Sequence, residues 1–446
     1  MHSRLLLSIA LLGLAVVAVA GCGGSSGGSS DQPTAVTAGN EKIEGTLSFW
    51  YVPTDPSVGE WWEGFAADFE AEHPGVTIDI TRNSVDNYQA KTLAAFSSGD
   101  QPDTIAMDTG EYLQKFVRAG YIADISKLAD FSYYNPAAVK VLTSPSGQVW
   151  GVPEYTFVIS LWRNTGLFKK YGVAVPKDWD ELLAACDTFN KAGVTPIAFG
   201  DGGEDQWTAG HWFSALLYQY AGAGADVAAT YGEGGASWED PEFIEAATRL
   251  RELADAGCFP DGFSGLNYSQ MSALFQRNEA AMIFTGTWFG AEVAGAEGVT
   301  VDVVPAPDGT DAAHSTFEGE GVLAGVSAIV ASEEAAEQKP ALVKAFLDAF
   351  GAATNEYAAE NNLLSVSKDP EAGGGSVEAD QTHLLQSAKE LVTVTDVALP
   401  AQVIDDYYEN LQALLAGDQS PEEFGKSMEA AVERERSTLP KQEGAG

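Results

Sequence analysis

Met271 to Glu292 reads Met-Ser-Ala-Leu-Phe-Gln-Arg-Asn-Glu-Ala-Ala-Met-Ile-Phe-Thr-Gly-Thr-Trp-Phe-Gly-Ala-Glu. Met271, Leu274 and Phe275 fall at i, i+3 and i+4, the period of a helix that buries one face. Arg277-Asn278-Glu279 breaks that pattern. Ala280 to Phe284 is then a short unbroken apolar run, which predicts a strand covered on both faces. The strand ends at Thr285-Gly286-Thr287-Trp288-Phe289-Gly290, where two glycines permit a sharp turn and close approach of a ligand. Ligands of α/β sheets bind beyond the carboxyl ends of the strands, so Trp288 stands where a binding residue belongs. Capping the next helix as a core Trp is its competing use.

The preceding chain alternates in the same way. Thr46–Val52, Val76–Thr81 and Asp103–Met107 have strand composition, with helical spacing between and after them. Trp61, Trp62, Phe65 and Phe69 form one helical stripe, stopped at His73-Pro74-Gly75. Strand, helix, strand, helix, strand predicts a parallel α/β unit. Glu154 to Trp162 is a long β-rich segment without turn chemistry and reads as a strand crossing into a second lobe. Asp178 can cap a helix whose apolar side carries Trp179, Leu182, Leu183 and Phe189. Strands are expected at Thr195–Phe199, within Gly298–Pro305 and at Val326–Val330, and helices close the chain over Gln402–Leu415 and Pro421–Arg436.

Met1–Arg4 is basic, Leu5–Val19 is apolar, and the run ends in Val19-Ala20-Gly21-Cys22, the plan of a secretory signal over residues 1–21. The motif resembles a bacterial lipobox, which predicts lipid on Cys22 and anchoring of the chain outside the cytoplasm. Residues 22–44, Gly/Ser-rich at their start, read as a flexible tether. Removing 21 residues from 446 leaves 425, enough for two or three domains. The net charge of −40 makes nucleic acid and anionic lipid poor partners and favours a soluble, monomeric chain. Cys186 and Cys258 can be a disulfide or two buried thiols; spacing does not decide.

In this order the elements resemble the extracellular solute-binding proteins of ABC importers, in particular the sugar-binding group that includes maltose-binding protein. The resemblance rests on Pro102-Asp103-Thr104-Ile105 with Gly120-Tyr121-Ile122-Ala123-Asp124-Ile125 and on Gly151-Val152-Pro153 with Leu161-Trp162-Arg163-Asn164 and Leu167-Phe168. It rests also on Gly286-Thr287-Trp288 and on Leu415-Ala416-Gly417-Asp418-Gln419-Ser420-Pro421-Glu422-Glu423. It implies an α/β, two-lobed fold that closes by a hinge on one solute. It places residues 45–155 plus 303–352 in an N-terminal lobe and 156–302 plus 353–446 in a C-terminal lobe. Crossings are expected near Glu154–Val158, Val301–Pro305 and Ala353. An ABC permease reads the closed form as partner.

A sugar site needs aromatic faces for C–H patches and amides or carboxylates for hydroxyls. Trp288 matches the stacking Trp of the family. Tyr51 and Asp55 lie on the first strand-to-helix loop, where Asp55 beside Pro56 also suits a plain turn. Asp108 and Thr109 end the third strand, with helix capping the rival use of Asp108. Tyr155 lies at the hinge. Of Trp207 and Trp212, one is expected to face the cleft and the other the core. Glu318 and Glu320 flank glycines; Asn87 and Gln89 are amide candidates on a polar helix face. Asp405 and Asp406 fall in a region where some members carry a Trp that is missing here.

No catalytic residues, metal ligands or cofactor are expected. The five His have no metal-ligand spacing, Gly262-Phe263-Ser264-Gly265 is not a nucleophile elbow, and Gly319-Glu320-Gly321 lacks the full dinucleotide fingerprint. The chain therefore reads as a carbohydrate-binding lipoprotein. A binding protein for a polyamine or another small cation is the alternative, and a secreted glycosidase with a carboxylate pair stands behind it.

Overall fold

The computed structural model describes residues 35–436, apart from residue 40 and the stretches 53–55, 84–87, 145, 204 and 371–375. Two sheets, each with its own core, organise these residues. The strands are β1 (Gly45–Tyr51), β2 (Val76–Arg82), β3 (Thr104–Asp108), β4 (Val152–Val158), β5 (Ser160–Asn164), β6 (Thr195–Ala198), β7 (Ala280–Thr285), β8 (Val301–Val304), β9 (Gly321–Ala331) and β10 (Glu390–Val392). The first sheet has the order β10-β9-β3-β1-β2, with β4 also paired to β9. The second is β6-β7-β5-β8.

In the first sheet β1, β2 and β3 run parallel, and the antiparallel β9 closes the far side of β3. Alternation along β1 sends Leu47, Phe49 and Tyr51 to one face. There they meet Trp62 of the helix Pro56–Glu72 and Phe346 and Phe350 of the helix Pro340–Glu360. In the second sheet all six residues of β7 are buried, as its unbroken apolar run predicts. Its core gathers Trp179, Phe189, Trp212, Phe213, Trp238 and Tyr407. Asp178 caps its helix by accepting from the Glu181 N–H at 2.9 Å, and Ser420 with Glu423 forms a full capping box for the last helix.

Cys186 and Cys258 are joined by a disulfide and fully buried, which settles the alternative that spacing left open. Among the described residues no helix is long and apolar enough to cross a membrane.

The long segment from Glu154 to Trp162 is two strands. β4 ends at Val158 in the first sheet, β5 starts at Ser160 in the second, and only Ile159 separates them. The return crossing expected at Val301–Pro305 is displaced. Val301–Val304 stays in the second sheet, paired antiparallel with β5, because its partners Leu161–Asn164 already lie there. The chain regains the first sheet only at β9. Ala353 is likewise no crossing: it lies inside the helix Pro340–Glu360, whose Phe346, Phe350 and Tyr357 pack into the first core.

The register of β4 on β9 shifts between Pro153 and Tyr155, so Glu154 sits at an irregularity just ahead of the crossing. Its buried carboxylate accepts hydrogen bonds from Ser327 Oγ at 2.8 Å and Tyr357 Oη at 2.7 Å, and among the described residues no cation pairs with it. Burial pushes this carboxyl up to about 7, against the pull of those two hydrogen bonds.

Two outcomes are expected. Replacing both Cys186 and Cys258 by Ala releases a loop closed over 72 residues and lowers the urea unfolding free energy by up to about 4 kcal/mol; equal stability with and without reductant in the parent protein contradicts the bond. For Glu154 the native carboxyl retains a proton that the unfolded one has lost, so its contribution is fully present below about pH 4.5 and disappears as pH rises through about 7. Glu154→Gln removes this dependence, and between pH 5 and pH 8 the variant gains on the order of 2 kcal/mol relative to the parent in denaturant titrations. A constant difference across that range contradicts the assignment.

Candidate functional site

The site is built outward from the end of β7. A Cβ on Gly286 would stand 2.1 Å from the Trp288 ring, so only glycine lets that indole fold back over the turn. Trp288 is partly buried, and its Nε1 donates to Tyr268 Oη at 3.0 Å. Tyr268 in turn donates to Glu292 Oε1 at 2.7 Å, and the other Glu292 oxygen accepts from Ser272. The phenol thus accepts on one side and donates on the other, which fixes the Trp288 plane. Asp205 ties in the next ring: its carboxylate accepts from Trp207 Nε1 at 3.0 Å and from the Tyr268 N–H at 2.7 Å. The Trp207 centroid lies 5.1 Å from Tyr268 and 5.9 Å from Trp288.

One turn along the helix Trp207–Ala221, His211 lies 4.9 Å from Trp207 and 6.1 Å from Trp288. Burial pushes its imidazole down to about 3, so it is neutral in ordinary buffers, and its Nδ1 is buried without a hydrogen-bond partner. Phe157 of β4 approaches Trp288 at 5.7 Å. The result is an aromatic wall on the second lobe, reached from the crossing strand.

Asp108 ends β3 on the first lobe. It is open to water, yet surrounding protein displaces enough solvent to push its carboxyl up to about 6. Thr109 is buried, with its N–H directed at the Val326 carbonyl. Gly110 has φ of +84°, and a Cβ there would come within 2.5 Å of the Val397 carbonyl oxygen. The turn after β3 therefore lies against the segment Thr395–Ala398, which belongs with the second core.

Asp396 in that segment accepts from Tyr408 Oη at 2.9 Å on Oδ2, while its Oδ1 is buried with no partner. Burial, with the charge of Asp108 as a smaller contribution, pushes the Asp396 carboxyl up to about 6. A Cβ on Gly210 would lie 3.6 Å from Asp396 Oδ2, so this acid adjoins the His211 end of the wall. Tyr155, half-buried on β4, packs against both cores; burial, then the charge of Asp108, raises its phenol.

Trp288 and Trp207 are thus brought together on the second lobe, while Asp108, Thr109 and Tyr155 lie around β9 on the first. Trp212 joins neither group: it is a core residue, 4.4 Å from Phe284. Tyr51 also belongs to the core, stacked on Phe49 at 5.5 Å and accepting from Arg82 Nε, because strand alternation puts it on the buried side. Glu318 is exposed, and Glu320 binds Lys389 Nζ and the Ser315 N–H, each at 3.0 Å. Their loop abuts Tyr218 at the far end of the helix Trp207–Ala221, three turns or roughly 16 Å from Trp207. Asp406 pairs with Arg434 at 2.7 Å, and Asp405 is exposed. Asp55, Asn87 and Cys22, and the side chain of Gln89, lie outside the described residues.

His211, Tyr268, Asp396 and Tyr408 join the site although sequence reasoning passed over them. Their only local signal was aromatic and acidic composition within helices. No group of three or more metal-ligating side chains occurs among the described residues.

Comparison with known proteins agrees with this architecture. A solved protein from work on xylan utilisation by Caldanaerobius polysaccharolyticus is 25% identical, with a TM-score of 0.78 over 86% of this chain and 99% of its own. A chitin oligosaccharide binding protein is 23% identical, with a TM-score of 0.78 over 88% of this chain and 99% of its own. Among curated relatives, an uncharacterised ABC transporter extracellular-binding protein of Pyrococcus horikoshii is 25% identical over 299 residues, 65% of each chain. A multiple sugar-binding protein of Streptococcus mutans is 26% identical over 227 residues, 50% of this chain and 52% of its own. These curated matches span from about half to just under two thirds of the relatives' length. The bacterial extracellular solute-binding protein model matches residues 54–357, more than half of the chain, and the chain belongs to that family.

Proposed function

We propose that the protein is the substrate-binding component of an ABC importer and captures a carbohydrate between its lobes for delivery to a membrane permease. The observation that carries this reading is the wall of Trp207 and Trp288 on one lobe, held by Asp205 and Tyr268, with the water-open carboxylate of Asp108 at a strand end of the other lobe. Flat aromatic faces suit the C–H patches of a pyranose, and a carboxylate accepts from its hydroxyls. The names of the Streptococcus and chitin-oligosaccharide relatives point the same way. The single-residue crossing at Ile159 supports a hinge about which the lobes close on the solute.

Thermal unfolding against mono- and oligosaccharides, polyamines and amino acids tests the class. A ligand at 100 times its Kd adds about 2.7 kcal/mol, which raises Tm by several degrees. A saccharide is expected to give this shift, and Trp288→Ala to weaken its binding at least tenfold while circular dichroism shows the fold retained. A shift confined to amino acids or polyamines overturns the carbohydrate reading, and unchanged affinity removes Trp288 from the site.

The family is extracellular, which places the protein outside the cytoplasm. We infer further that Cys22 carries the anchoring lipid, on the strength of Val19-Ala20-Gly21-Cys22 and the Gly/Ser tether after it. Cys22→Ala is expected to move the protein from the membrane fraction into the medium or periplasm; unchanged membrane retention overturns the anchor.

A further inference from the structure

Asp205 is 2% exposed and so is sealed from a solute in the cleft, yet both of its oxygens are committed to the aromatic wall. Oδ1 accepts from Trp207 Nε1 at 3.0 Å, and Oδ2 accepts from the N–H of Tyr268 at 2.7 Å. Tyr268 passes the constraint on, because its Oη accepts from Trp288 Nε1 at 3.0 Å while donating to Glu292 at 2.7 Å. One buried carboxylate thus stands behind two indoles whose centroids are 5.9 Å apart and whose planes cross at 72°. Two glycines bring it there. A Cβ on Gly200 would lie 2.5 Å from the Leu266 carbonyl oxygen, and one on Gly202 would lie 2.9 Å from that of Ser264. The loop after β6 therefore rests directly on the segment that leads into Tyr268.

Trp207 and Trp288 are partly exposed, unlike Trp162 and Trp238, whose indole N–H groups are buried with their acceptors. Water serves an N–H in an open cleft well, so fixed protein acceptors are not needed to satisfy these two indoles. What the acceptors add is orientation. An indole free to turn must be ordered when a solute lands on it, and that cost is taken from the affinity. We propose that Asp205 is a positioning residue of the solute site: without touching the solute, it holds Trp207 directly, and Trp288 through Tyr268, at the angle to which the solute binds. This rests on the carbohydrate reading above. Because the same carboxylate also ties its loop to Tyr268, the decisive measurement is one that separates indole orientation from loop stability.

Asparagine at 205 offers one carbonyl oxygen to two donors, so Asp205→Asn releases one of the two contacts. Tyr268→Phe keeps its ring and every backbone contact and removes only the acceptor of Trp288; it carries the test if Asp205→Asn does not fold. Titration calorimetry is run on the purified protein with glucose, galactose, mannose, xylose and N-acetylglucosamine, and with the β-1,4 trimers of glucose, xylose and N-acetylglucosamine. For the tightest of these, each substitution is expected to weaken binding at least fivefold. In a Trp207→Phe/Trp288→Phe background, where rings remain but neither N–H does, the same substitutions are expected to change affinity less than twofold. In magnetic resonance of protein with isotope-labelled tryptophan, Tyr268→Phe is expected to move the Trp288 signal and leave most of the ten indole N–H signals in place. A loss of affinity that persists at full size in the double background belongs to the loop and overturns the proposal. Unchanged affinity in both single variants, or a Trp288 signal that stays where it was, also overturns it and leaves the carbohydrate reading standing. A parent protein that binds none of the panel overturns the carbohydrate reading itself, and this proposal with it.

Discussion

The hydrogen-bonded ladder along β9 is the constraint from which the rest of the architecture follows. This one strand of eleven residues pairs with β3, β4 and β10, and its Leu323 carbonyl accepts from the N–H of Ile159 between the sheets. Leu323 belongs to the second core, whereas Val326, Ile329 and Ala331 belong to the first. Both lobes are therefore referred to a common strand. Asp108 ends the strand on one side of β9, and Tyr155 stands on the strand on its other side, so backbone geometry sets their spacing. Strand ends hold side chains more precisely than free loops do.

On the second lobe the wall is held by polar contacts rather than by packing alone. Asp205 joins Trp207 to Tyr268, Tyr268 joins Trp288 to Glu292, and Gly286 leaves room for the indole. These hydrogen bonds fix the orientation of the two indoles. The carboxyls at the junction are raised for one dominant reason, displacement of water by protein. That direction follows from burial in surrounding protein even though Asp108 itself remains open to solvent.

Much of the fold was legible because its signals are local. The apolar run Ala280–Phe284, the strand composition of Thr46–Val52 and the cap at Asp178 each became the element that its residues require. Crossings were less legible. Val301–Val304 reads as a strand in either lobe, and only its pairing with β5 assigns it to the second. The helix containing Ala353 carries no mark in its own residues of which core its Phe residues enter.

For the site, the sequence by itself determined residue types and strand ends: Trp288 after a glycine turn, Asp108 at the end of β3, and aromatics at the start of the helix Trp207–Ala221. Tertiary structure decided orientation and partnership. Tyr51 and Trp50 are adjacent and both aromatic, but strand alternation buries Tyr51 and leaves Trp50 half-covered. Trp207 and Trp212 are five residues apart, far enough round a helix to leave one partly exposed and bury the other in the core. Val397 meets Gly110 across nearly 290 residues, and Tyr268 meets Trp288 across 20. No local pattern encodes such meetings, because they depend on how elements distant in sequence pack together.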